Sequence, residues 1–191
     1  MYQKYREQQQ YCLLCFKGLD SKGSFLRNRI YKDPLCLQCR EKFISVPACF
    51  EINGVKVYSQ YIYEGEVRLA LLRYKESLDK LMSGVFLHPY WAYKFKNYCI
   101  VLVPSTASAI KKRGFHHLEL LAKASGFNNV LDDILIHTGK KEQAMKEYSD
   151  RSSVQNEIKI QNTDFIKNKN VLILDDIVTS GETLNTCINL V

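Results

Sequence analysis

The sequence predicts an α/β protein with a mostly parallel sheet, preceded by a small metal-binding module, and two observations carry that prediction. Two short apolar runs, Tyr98 to Val103 and Val171 to Leu174, have the length and β-branched content of strands buried on both faces, and helix-like periods lie between them. Ahead of them, Cys12-x2-Cys15 and Cys36-x2-Cys39 stand with twenty residues between the pairs. A C-x2-C loop brings two sulfurs to one tetrahedral ion at about 2.3 Å each, and two such loops complete a shell of four thiolates. Four cysteine ligands leave no open position, so the expected Zn2+ is structural. It would fold a segment of about 50 residues, too short to hold a core of its own.

The 191 residues are 46% hydrophobic and 25% charged, the composition of one folded domain or one plus a small module. That sets the expected organisation as a zinc module over 1–50 and an α/β domain over 51–191. The apolar run from Tyr98 to Pro104 falls far short of the roughly 18 residues of a membrane span. Met1 to Gln10 is polar and charged, unlike a secretory signal, so a cytoplasmic protein is expected. In that reducing compartment an odd count of seven cysteines argues against a disulfide framework. Cys49, Cys99 and Cys187 lie apart in apolar contexts and read as small core hydrophobes.

The elements follow in order. Cys49 to Ile52, Asn53-Gly54 and Val55 to Tyr63 read as a hairpin on an Asn-Gly turn. Glu66 to Tyr74 and Leu78 to Phe95 have helical period, the second interrupted near Pro89. Tyr98 to Val103 is the first buried strand and Phe115 to Ala124 an amphipathic helix. Val130 to Ile136 is a further strand candidate, whereas Gly139 to Glu157 is polar and weakly periodic. Val171 to Leu174 is the second buried strand, and a helix starts at Thr183.

Net charge is +7, from 27 Lys/Arg against 20 Asp/Glu, and it is unevenly spread. Residues 1–50 carry nine basic and four acidic groups, while residues 111–191 balance at eleven each. A polyanionic partner is therefore expected to meet the N-terminal end. Arg27, Arg29 and Lys32 lie between the cysteine pairs, interleaved with Phe25 and Tyr31. Basic groups tracking a backbone while aromatics stack on bases is how single strands are bound without sequence preference; the same aromatics would serve equally in a mini-core.

The densest chemistry lies in Val171-Leu-Ile-Leu-Asp175-Asp176-Ile-Val-Thr179-Ser180-Gly181-Glu182-Thr183. A turn at a helix N-terminus offers free backbone N–H groups and the positive end of the dipole to a phosphate. Gly181 allows close backbone approach, and Thr179, Ser180 and Thr183 add hydroxyls. Two carboxylates beside such a site would repel a phosphate unless they accept hydrogen bonds from sugar hydroxyls or act through a cation. A ribose phosphate is the ligand expected.

These thirteen residues resemble the PRPP motif of type I phosphoribosyltransferases. The resemblance implies that Asp175 and Asp176 bind the ribose 2′ and 3′ hydroxyls, that Thr179, Ser180, Gly181, Glu182 and Thr183 bind the 5-phosphate, and that PRPP enters with Mg2+. The whole chain resembles the ComF competence family, in which a four-cysteine zinc module precedes a phosphoribosyltransferase-like domain. Tyr63-Glu-Gly65 with Leu72-Arg-Tyr74-Lys75, and Val103-Pro104 with Lys111-Lys112-Arg113-Gly114-Phe115, carry it. By that resemblance the loop from Pro104, with Ser105 and Thr106, holds pyrophosphate, helped by Lys111, Lys112 and Arg113. The segment 139–157 becomes a hood with Gln143 and Arg151, either a lid or a polar loop.

Departures are visible too. Ala109 stands where the family has an Arg, Lys140 where Thr is frequent, and His116-His117 where Asn-Gln is usual. Two histidines at a helix start read as surface decoration, with a phosphate contact from His116 as the lesser alternative. The chain stops at Val191, eight residues past Thr183, so the expectation is either that the sequence is truncated or that the strand following in the family is missing and the sheet edge needs other protection.

Two functions follow from the resemblance. One is handling of single-stranded DNA in natural transformation, with a retained PRPP site. Its partners would be the ComFA-type helicase and other competence proteins, reached in the cytoplasm or at the inner face of the membrane. The other is an active phosphoribosyltransferase that joins ribose 5-phosphate to a nitrogen nucleophile. No catalytic acid, base or acceptor is identifiable from the residues.

Overall fold

The computed structural model describes residues 10–19, 33–46, 49–138 and 158–191. The chain forms two compact units, one from Met1–Phe50, Tyr58–Lys94 and Leu120–Gly126, the other from Glu51–Val57, Phe95–Glu119 and Phe127–Val191. The fold is mixed α/β with a parallel three-stranded sheet and a four-cysteine cluster near the N-terminus, as the sequence predicts. Among the described residues no helix is long and apolar enough to cross a membrane.

The first unit holds the cysteine loops, helices α1 (Leu37–Glu41), α2 (Gly65–Glu76) and α3 (Tyr90–Lys94), and a 3-10 turn at Lys80–Gly84. Helix α2 buries Val67, Ala70, Leu71 and Tyr74. These positions fall at i, i+3, i+4 and i+7, one stripe of a 3.6-residue period. Leu78, at φ 59, turns the chain out of the helix. Tyr74 then packs on Phe86 with ring centroids 5.7 Å apart, and Met82 and Val85 complete this small core. The helical period read across Leu78 to Phe95 thus resolves into the 3-10 turn and α3. The break falls at Pro89, which is tolerated just ahead of α3, where its missing N–H costs nothing.

Two arginines tie the cysteine loops to the rest of this unit. Arg40, next to Cys39, grips Asp33 in bidentate fashion at 2.6 and 2.7 Å and donates to the Val85 carbonyl and the Tyr61 hydroxyl, both at 2.9 Å. Arg73 of α2 donates to the Leu13 carbonyl at 3.0 Å and pairs with Asp79 at 2.8 Å, while its guanidinium lies over the Phe16 ring.

Strands β1 (Cys49–Ile52) and β2 (Val55–Tyr58) form the expected hairpin. Asn53 (φ 49) and Gly54 (φ 75) are both left-handed, as a two-residue turn of the type matching strand twist requires. The strands are solvent-facing, and this corrects one expectation: Cys49 is exposed, not a core residue.

The second unit is built on β4 (Val130–Leu131), β3 (Cys99–Leu102) and β7 (Val171–Leu174), parallel and in that order. All four residues of β3 are buried because a strand lies on each side of it. The β7 residues, expected to be buried likewise, are only half-buried, since within the described sheet β7 is an edge. Val130 to Ile136 is two strands, not one. β4 joins the parallel sheet, while β5 (Leu135–His137) pairs antiparallel with β6 (Ile158–Ile160). Helices α4 (Ala107–Arg113) and α5 (His117–Ser125) follow β3 in sequence, and α6 (Glu182–Leu190) follows β7.

Candidate functional site

The candidate site lies where two loops leave the carboxyl ends of adjacent parallel strands. β3 and β7 run in register, Leu102 opposite Leu174, and the Val103 N–H donates to the Leu174 carbonyl at 3.0 Å. Ser105 and Thr106 therefore start beside Asp175 and Asp176. The carboxyl edge of a parallel sheet is the general place for a ligand in this architecture.

Local sequence shapes both loops. The Thr106 side chain caps α4 by accepting the Ala109 N–H at 3.2 Å, and Gly114, left-handed at φ 71, ends the helix. Lys111, Lys112 and Arg113 thereby fall in the last turn, where cations suit the helix dipole. In the other loop the Asp176 N–H donates to the Asp175 carboxylate at 2.8 Å. Gly181, at φ 79, precedes α6, and a Cβ there would meet Ile52 Cδ1 at 3.1 Å. The position favours glycine on conformation, and a Cβ would need Ile52 to shift slightly.

A chain of polar groups joins the loops. His117 Nε2 lies 3.1 Å from the Asp176 carboxylate, with only 6% and 9% of the two side chains exposed. A carboxylate only accepts, so Nε2 donates to Asp176. Ser105 Oγ stands 3.5 Å from His117 Nδ1 and also 3.5 Å from Arg113 Nη2. Arg113, Ser105, His117 and Asp176 thus form one polar chain across the two loops. Arg113 Nε is spent on the Ala109 carbonyl at 3.1 Å, whereas its Nη1 is buried without a hydrogen-bond partner among the described residues. A buried guanidinium N–H without a partner is a place where an anion oxygen would fit.

His117 is the residue that sequence reasoning placed wrongly. It is not surface decoration but one of the most buried polar residues of the chain. The signal was present: His117, Leu121 and Ala124 fall at i, i+4 and i+7 on one helical face, and all three are buried. His116 stacks on it at 5.9 Å and is only partly buried; desolvation, then the neighbouring His117 charge, holds its pKa below the usual histidine value.

The remaining expected residues are distributed plainly. Thr179, Ser180 and Glu182 are exposed, and Gly181 and Thr183 half-buried, with the Glu182 N–H 3.5 Å from Ser180 Oγ. Lys111 and Lys112 are exposed. Beneath the loop, Cys187 is fully buried, and burial followed by the Asp175 charge pushes its thiol up to about 12. Gln143 and Arg151 of the expected hood, and Arg27, Arg29 and Lys32 of the expected nucleic-acid contact, lie outside the described residues.

The four expected metal ligands do come together. Cys12, Cys15, Cys36 and Cys39 place their sulfurs within 4.8 Å of one another, and the Cys15 and Cys36 sulfurs are 3.7 Å apart. Tetrahedral zinc with bonds of about 2.3 Å separates its sulfurs by about 3.8 Å, so the cluster is compatible with a structural zinc. Burial raises the Cys12 thiol, but backbone hydrogen bonds at Cys15, Cys36 and Leu14 outweigh it and bring the thiol down to about 7. Burial and the surrounding sulfurs push Cys39 up. Crowded thiols compete to stay protonated until a cation gathers them as thiolates.

No family model matches the chain. Over 139 residues, 72% of its length, it is 30% identical to Competence protein ComFC of Streptococcus pneumoniae (strain ATCC BAA-255 / R6). The chain spans 62% of the length of that relative. The resemblance to the ComF competence family is thereby borne out.

Proposed function

We propose that this chain, a homologue of the ComFC competence proteins, acts in DNA uptake and retains a ribose-phosphate site that takes PRPP. One observation carries the site: Arg113, Ser105, His117 and Asp176 form a polar chain between the two loops expected to hold pyrophosphate and ribose. In this reading Asp175 and Asp176 accept from the ribose hydroxyls and the Thr179 to Thr183 turn receives the 5-phosphate. The buried Arg113 Nη1 donates to a pyrophosphate oxygen. Carboxylate and hydroxyl oxygens are the hard donors that Mg2+ accepts, so Mg-PRPP fits this set, the ion supplying charge neutralisation at the pyrophosphate.

In the same reading zinc occupies the four-cysteine cluster, the module over 1–50 precedes a phosphoribosyltransferase-like domain over 51–191, and the protein works in the cytoplasm. There it receives single-stranded DNA and meets a ComFA-type helicase. Replacing Asp175→Ala together with Asp176→Ala should abolish Mg-PRPP binding in calorimetry; unchanged affinity rejects the site.

The unpartnered Arg113 donor favours a second reading, an active phosphoribosyltransferase. The C1–O bond to pyrophosphate would break and a C1–N bond form, with catalysis by positioning and charge stabilisation. A pyrophosphate-release assay with PRPP and a panel of bases separates the readings, since robust turnover establishes the enzyme.

A further inference from the structure

We infer that Cys15 and Cys36 form an oxidation site for hydroperoxides, closing to a disulfide that leaves the cysteine cluster unable to hold its metal. The inference rests on the reading above in which zinc occupies that cluster, and it adds to that reading a control by oxidant.

The four sulfurs are unequally protected. Cys12 and Cys39 are buried, whereas Cys15 is exposed and Cys36 half-buried. The two that reach solvent come from different C-x2-C loops, and their sulfurs stand 3.7 Å apart. Oxidation of cysteine follows thiolate character and exposure, so a site that served structure alone would gain by hiding every sulfur. Here one pair is open to a small oxidant, and each member has the other beside it as the resolving sulfur.

Hydrogen bonds hold the two loops together independently of a metal. The Leu13 N–H of the first loop donates to the Pro34 carbonyl, just ahead of the second, at 3.0 Å. Asp33 accepts from the Leu35 N–H at 3.0 Å and from Arg40, which also reaches the Val85 carbonyl, while Arg73 donates to the Leu13 carbonyl. Cys15 and Cys36 are thus kept close, and their sulfurs have only to move from 3.7 Å to the about 2.05 Å of a disulfide.

One hydroperoxide balances the reaction. Cysteine ligands are thiolates, and the Cys15 thiolate attacks a peroxide oxygen: the O–O bond breaks, a sulfenic acid forms, and the leaving oxygen takes a proton to become an alcohol or water. The Cys36 thiolate then attacks the Cys15 sulfur, the S–O bond breaks, the S–S bond forms, and hydroxide leaves with a proton as water. Two electrons pass from the sulfurs to the peroxide. Cys12 and Cys39 remain as half of a tetrahedral shell, too few to retain the ion. Cys49 is exposed as well but is not one of the four clustered sulfurs, so it serves as an internal control.

Treating the full Zn2+-loaded chain with hydrogen peroxide should release Zn2+ to a chromogenic chelator with the loss of two cluster thiols. Peptide mapping by mass spectrometry should find Cys15 linked to Cys36, and dithiothreitol with added Zn2+ should restore the cluster. Cys49→Ser should release its metal as the wild type does. Cys36→His keeps a zinc ligand but removes the resolving sulfur, so it should hold its metal at a peroxide dose that empties the wild type. A disulfide mapped to any other pair, release from Cys36→His at the wild-type rate, or release abolished in Cys49→Ser overturns the inference. Zn2+ that stays bound at a dose oxidising Cys49 completely overturns it too, while the zinc reading stands. A chain that takes up no Zn2+ overturns both. If Cys36→His does not fold, the linkage map of the unaltered chain decides alone.

Discussion

His117 shows how one side chain can be polar in sequence and structural in effect. It lies on the buried face of α5, yet its ring has two hydrogen-bonding atoms, and the fold gives it Asp176 on one side and Ser105 on the other. An alternation of apolar residues does not reveal such a role, because periodicity marks the buried face without naming the partner across it. The cluster of four cysteines was legible for the opposite reason: two C-x2-C spacings carry their own geometry. The acids at Asp175 and Asp176 were readable as a motif, but the groups facing them come from a different stretch of chain. Removing the His117 ring should destabilise the protein by about 1.5–3 kcal/mol, the range for a hydrogen bond to a charged group. Urea denaturation of His117→Ala at pH 7 measures it, and His117→Gln, which keeps an N–H donor, should recover part of the loss. Wild-type stability in His117→Ala would mean that the pair holds nothing together.

Among the elements, the long signals were the dependable ones. The α2 stripe, the Asn-Gly hairpin and the apolar runs of β3 and β7 all lie where periodicity and turn chemistry put them. The failures are short pieces. β4 has two residues and β5 three, too few to show a period, so one strand stood for two in different sheets. The 3-10 turn after Leu78 imitates a helix because its side chains also recur every third residue. The junction from β7 to α6 is the element with the sharpest demand, at Gly181. Gly181→Ala should cost about 1–2 kcal/mol from the left-handed backbone alone. Ile52 Cδ1 is the flexible end of its side chain and can give way. Asparagine tolerates that conformation better, so Gly181→Asn should cost less in the same urea titration. The reverse order, with the larger residue worse, would assign the cost to crowding against Ile52.

For the molecule as a whole, the question is how far the influence of a metal held by the four-cysteine cluster would extend. In the unit that holds the cysteines, the sulfur loops are not a detached bead. Arg40 bonds to Asp33, Tyr61 and Val85, and Arg73 reaches the Leu13 carbonyl from α2. Four thiols drawn within 4.8 Å repel as they ionise, and only a cation reverses the sign of that interaction. Stripping the metal with a chelator should therefore loosen α2 and the 3-10 turn along with the loops, and lower the thermal midpoint by more than about 10 °C. Thiol titration follows the same event group by group. In the loaded protein, Cys49 alone should react quickly, being exposed and apart from the cluster. Chelation should release the four cluster thiols together, while Cys99 and Cys187, both buried, should wait for denaturant. If the four thiols become reactive with no change in the thermal midpoint, the arginine ties transmit nothing, and the metal orders only its own loops.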